Sequence, residues 1–178
     1  MLLKGYTKEI FRSKCDSRVQ TLQCFAHLDD DISDVLPYLN TVLGGFTYIK
    51  EPPAVTFKAH GKLTTVYANK IAVNAIKDET EAAKILEWLK REINDARENR
   101  HAIKPSFKSV SGPTVFEIFK LLPKTNCREC GLQTCLVFAT RVAEGAYGAE
   151  DCPLLAAENR ERLREYLDRF DEAKSYRG

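Results

Sequence analysis

No apolar run in this chain approaches the roughly 20 residues that a bilayer-spanning helix needs, so no membrane anchor is expected. The opening residues, Met-Leu-Leu-Lys-Gly-Tyr-Thr-Lys, hold no signal-peptide core, which predicts a cytoplasmic protein whose thiols stay reduced. An excess of charge of either sign is lacking too. Against 27 basic residues stand 25 acidic ones, a formal net charge of +2. Phosphate binding usually needs a net basic surface, so nucleic acid is not expected as a partner. Repeats and low-complexity tracts are absent, which excludes a repeat array. There is no phosphate loop, dinucleotide fingerprint, nucleophile elbow or His-Glu-x-x-His motif. Residues 1–110 gather no converging catalytic types, so an enzyme is not the first expectation. Six cysteines in 178 residues fall short of a disulfide scaffold.

What is present suits a globular protein. The composition is 44% hydrophobic and 29% charged, enough for a packed core. Residues 104–113 hold two prolines, a glycine and three serines, and they separate two differently patterned regions. The expected division is an α+β domain of unknown role at 1–110 and a helical cluster-binding domain at 111–178. In the first, a helix starts near Asp34 and stops at Gly44-Gly45, with Pro37 in its first turn. Strands are expected at 46–49, 55–58, 63–67 and 71–76, with turns at His60-Gly61 and Asn69. They predict a small antiparallel sheet covered by helices. A long helix begins at Asp78, with Glu81 in a capping-box position, and reaches toward Arg100. Its apolar stripe is Ala82, Ile85, Leu86, Leu89, Ile93 and Ala96. In the second domain Thr114 caps a helix over 115–122. Another helix starts near Gln133-Thr134 and runs to Glu144, and a last one spans 154–170.

Four cysteines carry the strongest signal. Cys127, Cys130, Cys135 and Cys152 are spaced C-x2-C-x4-C-x16-C. In a reduced compartment such a set reads as a full thiolate shell for an iron–sulfur cluster or a structural metal. Gly131 lets the backbone turn tightly beside the sulfurs. Cys135 falls near an expected helix start, where the dipole favours an anionic group. Pro153 gives the Cys-Pro ending seen in many cluster-binding runs. Leu132, Leu136, Val137 and Phe138 are expected to shield the site. Zinc sites favour two close cysteine pairs, and here there is one pair and two single cysteines. Spacing therefore favours a cluster and leaves zinc as the alternative.

The stretch Leu-Pro-Lys-Thr-Asn-Cys-Arg-Glu-Cys-Gly-Leu-Gln-Thr-Cys-Leu-Val-Phe-Ala, followed by Glu-Gly and Asp-Cys-Pro-Leu, resembles a known four-cysteine domain. That domain binds one 4Fe-4S cluster. It occurs in the large subunit of the corrinoid iron–sulfur protein (the acetyl-CoA decarbonylase/synthase gamma subunit) and in the B subunit of the Rnf complex. The resemblance covers about residues 115–156. It implies a 4Fe-4S cluster on Cys127, Cys130, Cys135 and Cys152. It also implies a setting in anaerobic one-carbon or corrinoid metabolism, with a redox partner protein and a corrinoid or methyl-transfer protein as candidate partners. The large barrel of the corrinoid protein and the membrane anchor and extra ferredoxin motifs of the Rnf subunit have no counterpart here, so only the one-cluster module carries over. Electron transfer is the first function expected. A regulatory or scaffold protein with a structural or redox-sensing cluster is the second. Residues 1–110 would dock a partner or make a homo-oligomer.

Weaker candidates remain. Cys15, Cys24 and His27 lack a fourth ligand and read as ordinary residues. His60 reads as a turn residue and His101 as a solvated helix end. Lys120, Lys124, Arg128 and Arg141 form either a basic rim for an acidic partner or a solvated face. Asp29, Asp30 and Asp31 are expected at a helix N-terminus. Trp88 is expected to pack the long helix onto the sheet.

Overall fold

A computed structural model describes residues 3–12, 21–109 and 112–171. The fold is α+β. Its contacts divide into two compact units, Met1–Ser111 and Gly112–Gly178. No helix among the described residues is long and apolar enough to cross a membrane.

The first unit is built on strands β1 (Tyr6–Arg12), β2 (Leu22–Leu28), β3 (Thr47–Lys50), β4 (Pro53–Ala59), β5 (Lys62–Tyr67) and β6 (Lys70–Ile76), with helices α1 (Leu36–Leu43) and α2 (Glu79–Glu98). All neighbouring strands are antiparallel, in the order β1-β2-β6-β5-β4-β3. The four expected strands are present as the meander β3 to β6. The hairpin β1–β2 was not expected, and it makes the sheet six-stranded rather than four-stranded. It adds to the free edge of β6, where Cys24 opposes Val73 and Ala26 opposes Ile71. Pairing at that distance in sequence leaves no local turn signal, and short mixed runs do not distinguish strand from loop.

Alternation does the sorting. Cys24, Ala26, Val55, Phe57, Val66, Ile71 and Val73 are buried in one core with the α2 stripe. All six expected stripe residues, from Ala82 to Ala96, are buried. Asp78 Oδ1 accepts the Glu81 N–H at 2.8 Å, so the cap is present, but Glu81 Oε2 accepts the N–H of Lys77 at 2.6 Å, one residue before the cap, in place of the reciprocal bond of a capping box. The helix ends at Glu98, two residues before Arg100. Trp88 is half-buried against this core, with its ring edge-on to His60 at 5.1 Å. His60 (φ 49°) and Gly61 (φ 78°) form the turn between β4 and β5.

Helix α1 starts at Leu36, with Pro37 in its first turn, and ends at the left-handed Gly44. Its first turn holds no acidic residue, so the expected helix-terminal role for Asp29, Asp30 and Asp31 is not what they do. Asp30 accepts the Lys4 N–H and Asp31 the Ser33 N–H, which fastens the loop instead. Gly45 is required by space. A Cβ there would overlap Asn40 Oδ1 and lie 2.6 Å from Val55 Cγ2. The buried Asn40 donates through Nδ2 to the carbonyls of Ser106 (2.9 Å) and Lys108 (3.0 Å). Thr41 Oγ1 donates to Lys104 O at 2.7 Å, so residues 104–108 are stitched to α1.

The second unit has helices α3 (Val115–Leu121), α4 (Cys135–Ala143) and α5 (Ala157–Asp171), with a 3-10 turn at Ala149–Asp151. Thr114 caps α3 through the Glu117 N–H, as expected. The last helix starts three residues later than expected, because the 3-10 turn and the bond from Leu155 N–H to Cys152 O occupy the approach. Ile118, Leu122, Leu132, Phe138, Ala139, Val142, Leu155 and Leu163 are buried. Asn159 Nδ2 ties α5 to Leu121 O at 3.0 Å, and Tyr166 Oη accepts the Thr114 N–H at 2.9 Å.

Candidate metal centre

The loop between α3 and α4 is wound by left-handed residues. Lys124 (φ 61°), Asn126 (φ 51°), Arg128 (φ 66°) and Gly131 (φ 81°) all lie in that region. Each non-glycine residue there costs on the order of 1–2 kcal/mol, so the conformation is held by its surroundings. At Gly131 a Cβ would meet nothing within 4 Å, so the backbone angle and not space calls for glycine. Its N–H donates to Arg128 O at 2.9 Å and closes a tight turn around Cys130.

This winding presents the thiols at graded depth. Cys127 is exposed, Cys130 is half-buried, and Cys135 and Cys152 are buried. Cys135 is the first residue of α4, whose N-terminal amides point outward and favour negative charge. Thr134 caps that helix by accepting the Val137 N–H at 3.2 Å. Cys152 follows the 3-10 turn, whose approach is held by the Gly148 N–H donating to Asp151 Oδ2 at 2.7 Å. Burial pushes the Cys152 thiol up. The Leu154 backbone N–H opposes this, and the charges of Cys130, Cys135 and Cys127 push it further up. Cys130, Cys135 and Cys127 therefore each lie within electrostatic reach of Cys152.

Among the described residues, no three His, Cys, Asp or Glu side chains are gathered tightly enough to grip a single metal ion. Tetrahedral zinc at about 2.3 Å from each sulfur would hold thiolates roughly 3.8 Å apart. A cluster interposes several iron and sulfide atoms and takes a wider ring of thiolates. An all-thiolate donor set with an apolar lining fits such a cluster.

Of the residues expected to shield the site, Leu132 and Phe138 are buried and Val137 is half-buried. Leu136 is 53% exposed instead: one residue on from the buried Cys135, it is turned about 100° round the helix, out of the buried face. Of the four basic residues, Lys120 is paired with Glu117 at 2.7 Å and Arg141 with Glu144 at 2.9 Å. Lys120 Nζ lies over the Phe116 ring at 4.6 Å, and Lys124 Nζ lies over the Phe119 ring at 5.7 Å. Only part of the expected basic rim is therefore uncompensated.

The other candidates are not brought together. Cys24 is fully buried in the sheet core, while His27, three residues on in the same strand, is exposed on the opposite side. Cys15 lies outside the described residues. His101 is exposed. Asn126 was missed by sequence reasoning: its Oδ1 accepts the Cys135 N–H at 2.8 Å. Nothing in spacing or periodicity marks it, because an asparagine before a cysteine looks like any loop residue.

Residues 122–154 match the family model described as "Putative Fe-S cluster". The acetyl-CoA decarbonylase/synthase complex subunit gamma of Methanothermobacter thermautotrophicus is 39% identical over 54 residues, 30% of this chain and 12% of that protein. The subunit of the same name from Methanopyrus kandleri is 43% identical over 54 residues, with the same coverage of 30% and 12%. The corrinoid/iron-sulfur protein large subunit of Moorella thermoacetica is 48% identical over 50 residues, 28% of this chain and 11% of that protein. The chain thus aligns with only about an eighth of these relatives' length. No solved structure matches.

Proposed function

We propose that the second unit binds one 4Fe-4S cluster through Cys127, Cys130, Cys135 and Cys152, and that the protein carries electrons to or from a redox partner. The observation that carries this reading is that residues 122–154, which contain all four cysteines, match a family model of iron–sulfur type. When bound, such a cluster supplies one-electron transfer at a potential set by its surroundings. The chain's own residues do the rest. Cys135 and Cys152 anchor the site in the apolar core, and Leu132 and Phe138 keep water from that side. The exposed Cys127 marks the side open to a partner. Four thiolates fill the cluster's outer positions, so substrate chemistry is not assigned to it and no residue is assigned a catalytic role.

The relatives' names, an acetyl-CoA decarbonylase/synthase complex subunit and a corrinoid/iron-sulfur protein, support a setting in one-carbon metabolism built on such proteins. We propose a redox protein as direct partner, with a corrinoid or methyl-transfer protein in the same assembly, and a cytoplasmic location where thiols stay reduced. The first unit would dock that partner or pair two copies of the chain.

A structural or sensing role is the second reading, favoured by the burial of Cys135 and Cys152 in the unit's core. Metal binding there would couple to folding. Anaerobic purification with iron and sulfide analysis, followed by redox titration, tests both. About four irons and four sulfides per chain with reversible cycling are expected. Zinc without labile sulfide would sink the cluster reading. A cluster that does not cycle, and whose loss alters partner binding, would favour the structural role.

A further inference from the structure

Asn126 stands one residue before Cys127 with a backbone φ of 51°. Asparagine tolerates this left-handed region better than most residues do. Tolerance alone would not single it out, because Lys124 and Arg128 adopt the same region. What separates Asn126 is its side chain. Its Oδ1 accepts the Cys135 N–H at 2.8 Å. Cys135 is the first residue of α4, so that N–H is one of the first-turn donors with no partner inside the helix. Thr134 satisfies another, from Val137, but it is adjacent in sequence and constrains only the helix end. Asn126 reaches across the whole loop. One hydrogen bond joins the backbone beside the first thiol to the backbone that carries the third.

Resting on the cluster reading above, we propose that Asn126 is a positioning residue: its carboxamide oxygen, by holding the Cys135 N–H, sets the separation of Cys127 and Cys135 and preorganises the loop for the cluster. Closing a loop costs chain entropy, and a loop already closed presents its ligands without that cost at the moment of binding. The need is greatest at Cys127, which is exposed and has no core contacts to hold it. The bond also leaves the α4 terminus with its first donor committed, so the helix start and the ligand loop move as one piece.

Two variants of the full-length chain separate the hydrogen bond from the backbone angle. Asn126→Gly keeps the left-handed freedom and removes the acceptor. Asn126→Asp keeps an acceptor and adds a negative charge beside Cys127. The glycine variant is expected to lose iron to a chelator about 10- to 100-fold faster than the natural chain, the usual cost of removing a group that orients a ligand. In the metal-free protein its Cys135 amide is expected to lose hydrogen-exchange protection. The aspartate variant is expected to keep its iron, sulfide and amide protection. Its midpoint potential is expected to move lower, because added negative charge disfavours an extra electron. A glycine variant with unchanged chelator resistance and unchanged Cys135 exchange would overturn the proposal. Amide exchange is read without metal, so the two ideas can fail separately. Loss of protection in the glycine variant, with a natural chain that takes up no iron and sulfide, would uphold the bond and sink the cluster reading.

Discussion

Lys62 shows what burial does to a single charge. It sits on the core-facing side of β5 with its side chain only 9% exposed, and Glu81 Oε1 lies 4.0 Å from its Nζ. Burial holds its pKa below the usual 10.5, Glu81 pulls it back up, and Lys77 adds to the lowering. A lysine that binds its proton more weakly when folded costs stability wherever it is charged in both states. That cost is present below the folded-state pKa and fades as pH rises through it toward the unfolded value. Lys62→Met is therefore expected to raise the denaturant midpoint most at neutral pH, with the gain shrinking toward pH 10.5. A gain that does not change with pH would show that shape, not charge, is at issue. No pattern of residue types foretold this lysine's position, because β5 reads as an alternating strand whichever face the helices cover. At Asn126 the same limit applies: composition places an asparagine, and only the folded loop puts its oxygen on the Cys135 amide.

Elements were legible where their signals are local. Helix α2 has its N-cap and its stripe within one stretch of chain, and both appear as read. Leu89, on that stripe, is fully buried. Leu89→Ala is expected to cost about 2–5 kcal/mol in urea or guanidinium unfolding. A change of a few tenths would mean that α2 does not pack as described. Helices α3 and α4 were equally readable, since Thr114 and Thr134 each accept the N–H three residues on. Strands β1 and β2 were not. β1 is an edge strand with exposed Thr7, Lys8 and Glu9, so it has little period-two apolar pattern. β2 carries Gln and His among its apolar residues, and its partner β6 arrives more than 40 residues later. Such pairings are decided by long-range packing, which no window of sequence contains.

For the whole molecule, the division into Met1–Ser111 and Gly112–Gly178 sets the expected response to metal removal. The first unit owns a core of sheet and helix residues that includes none of the four cysteines. The second unit keeps Cys135 and Cys152 inside its own core. Chelation, or Cys130→Ala, is expected to lose the cluster and lower the melting of the second unit, while the transition of residues 1–105 stays where it was. Scanning calorimetry of both forms checks this, and a single shared transition that moves as a whole would show that the units unfold together. By itself the sequence determined the fold class, the capped helices and the identity of four thiols at cluster spacing, because capping, periodicity and ligand chemistry act between near neighbours. The tertiary structure alone decided the six-stranded order, the burial of Lys62, the space at Gly45 and the bond from Asn126 to Cys135. Each of those depends on which distant segment arrives alongside, and that is settled by burying the most apolar surface with the fewest unpaired polar groups.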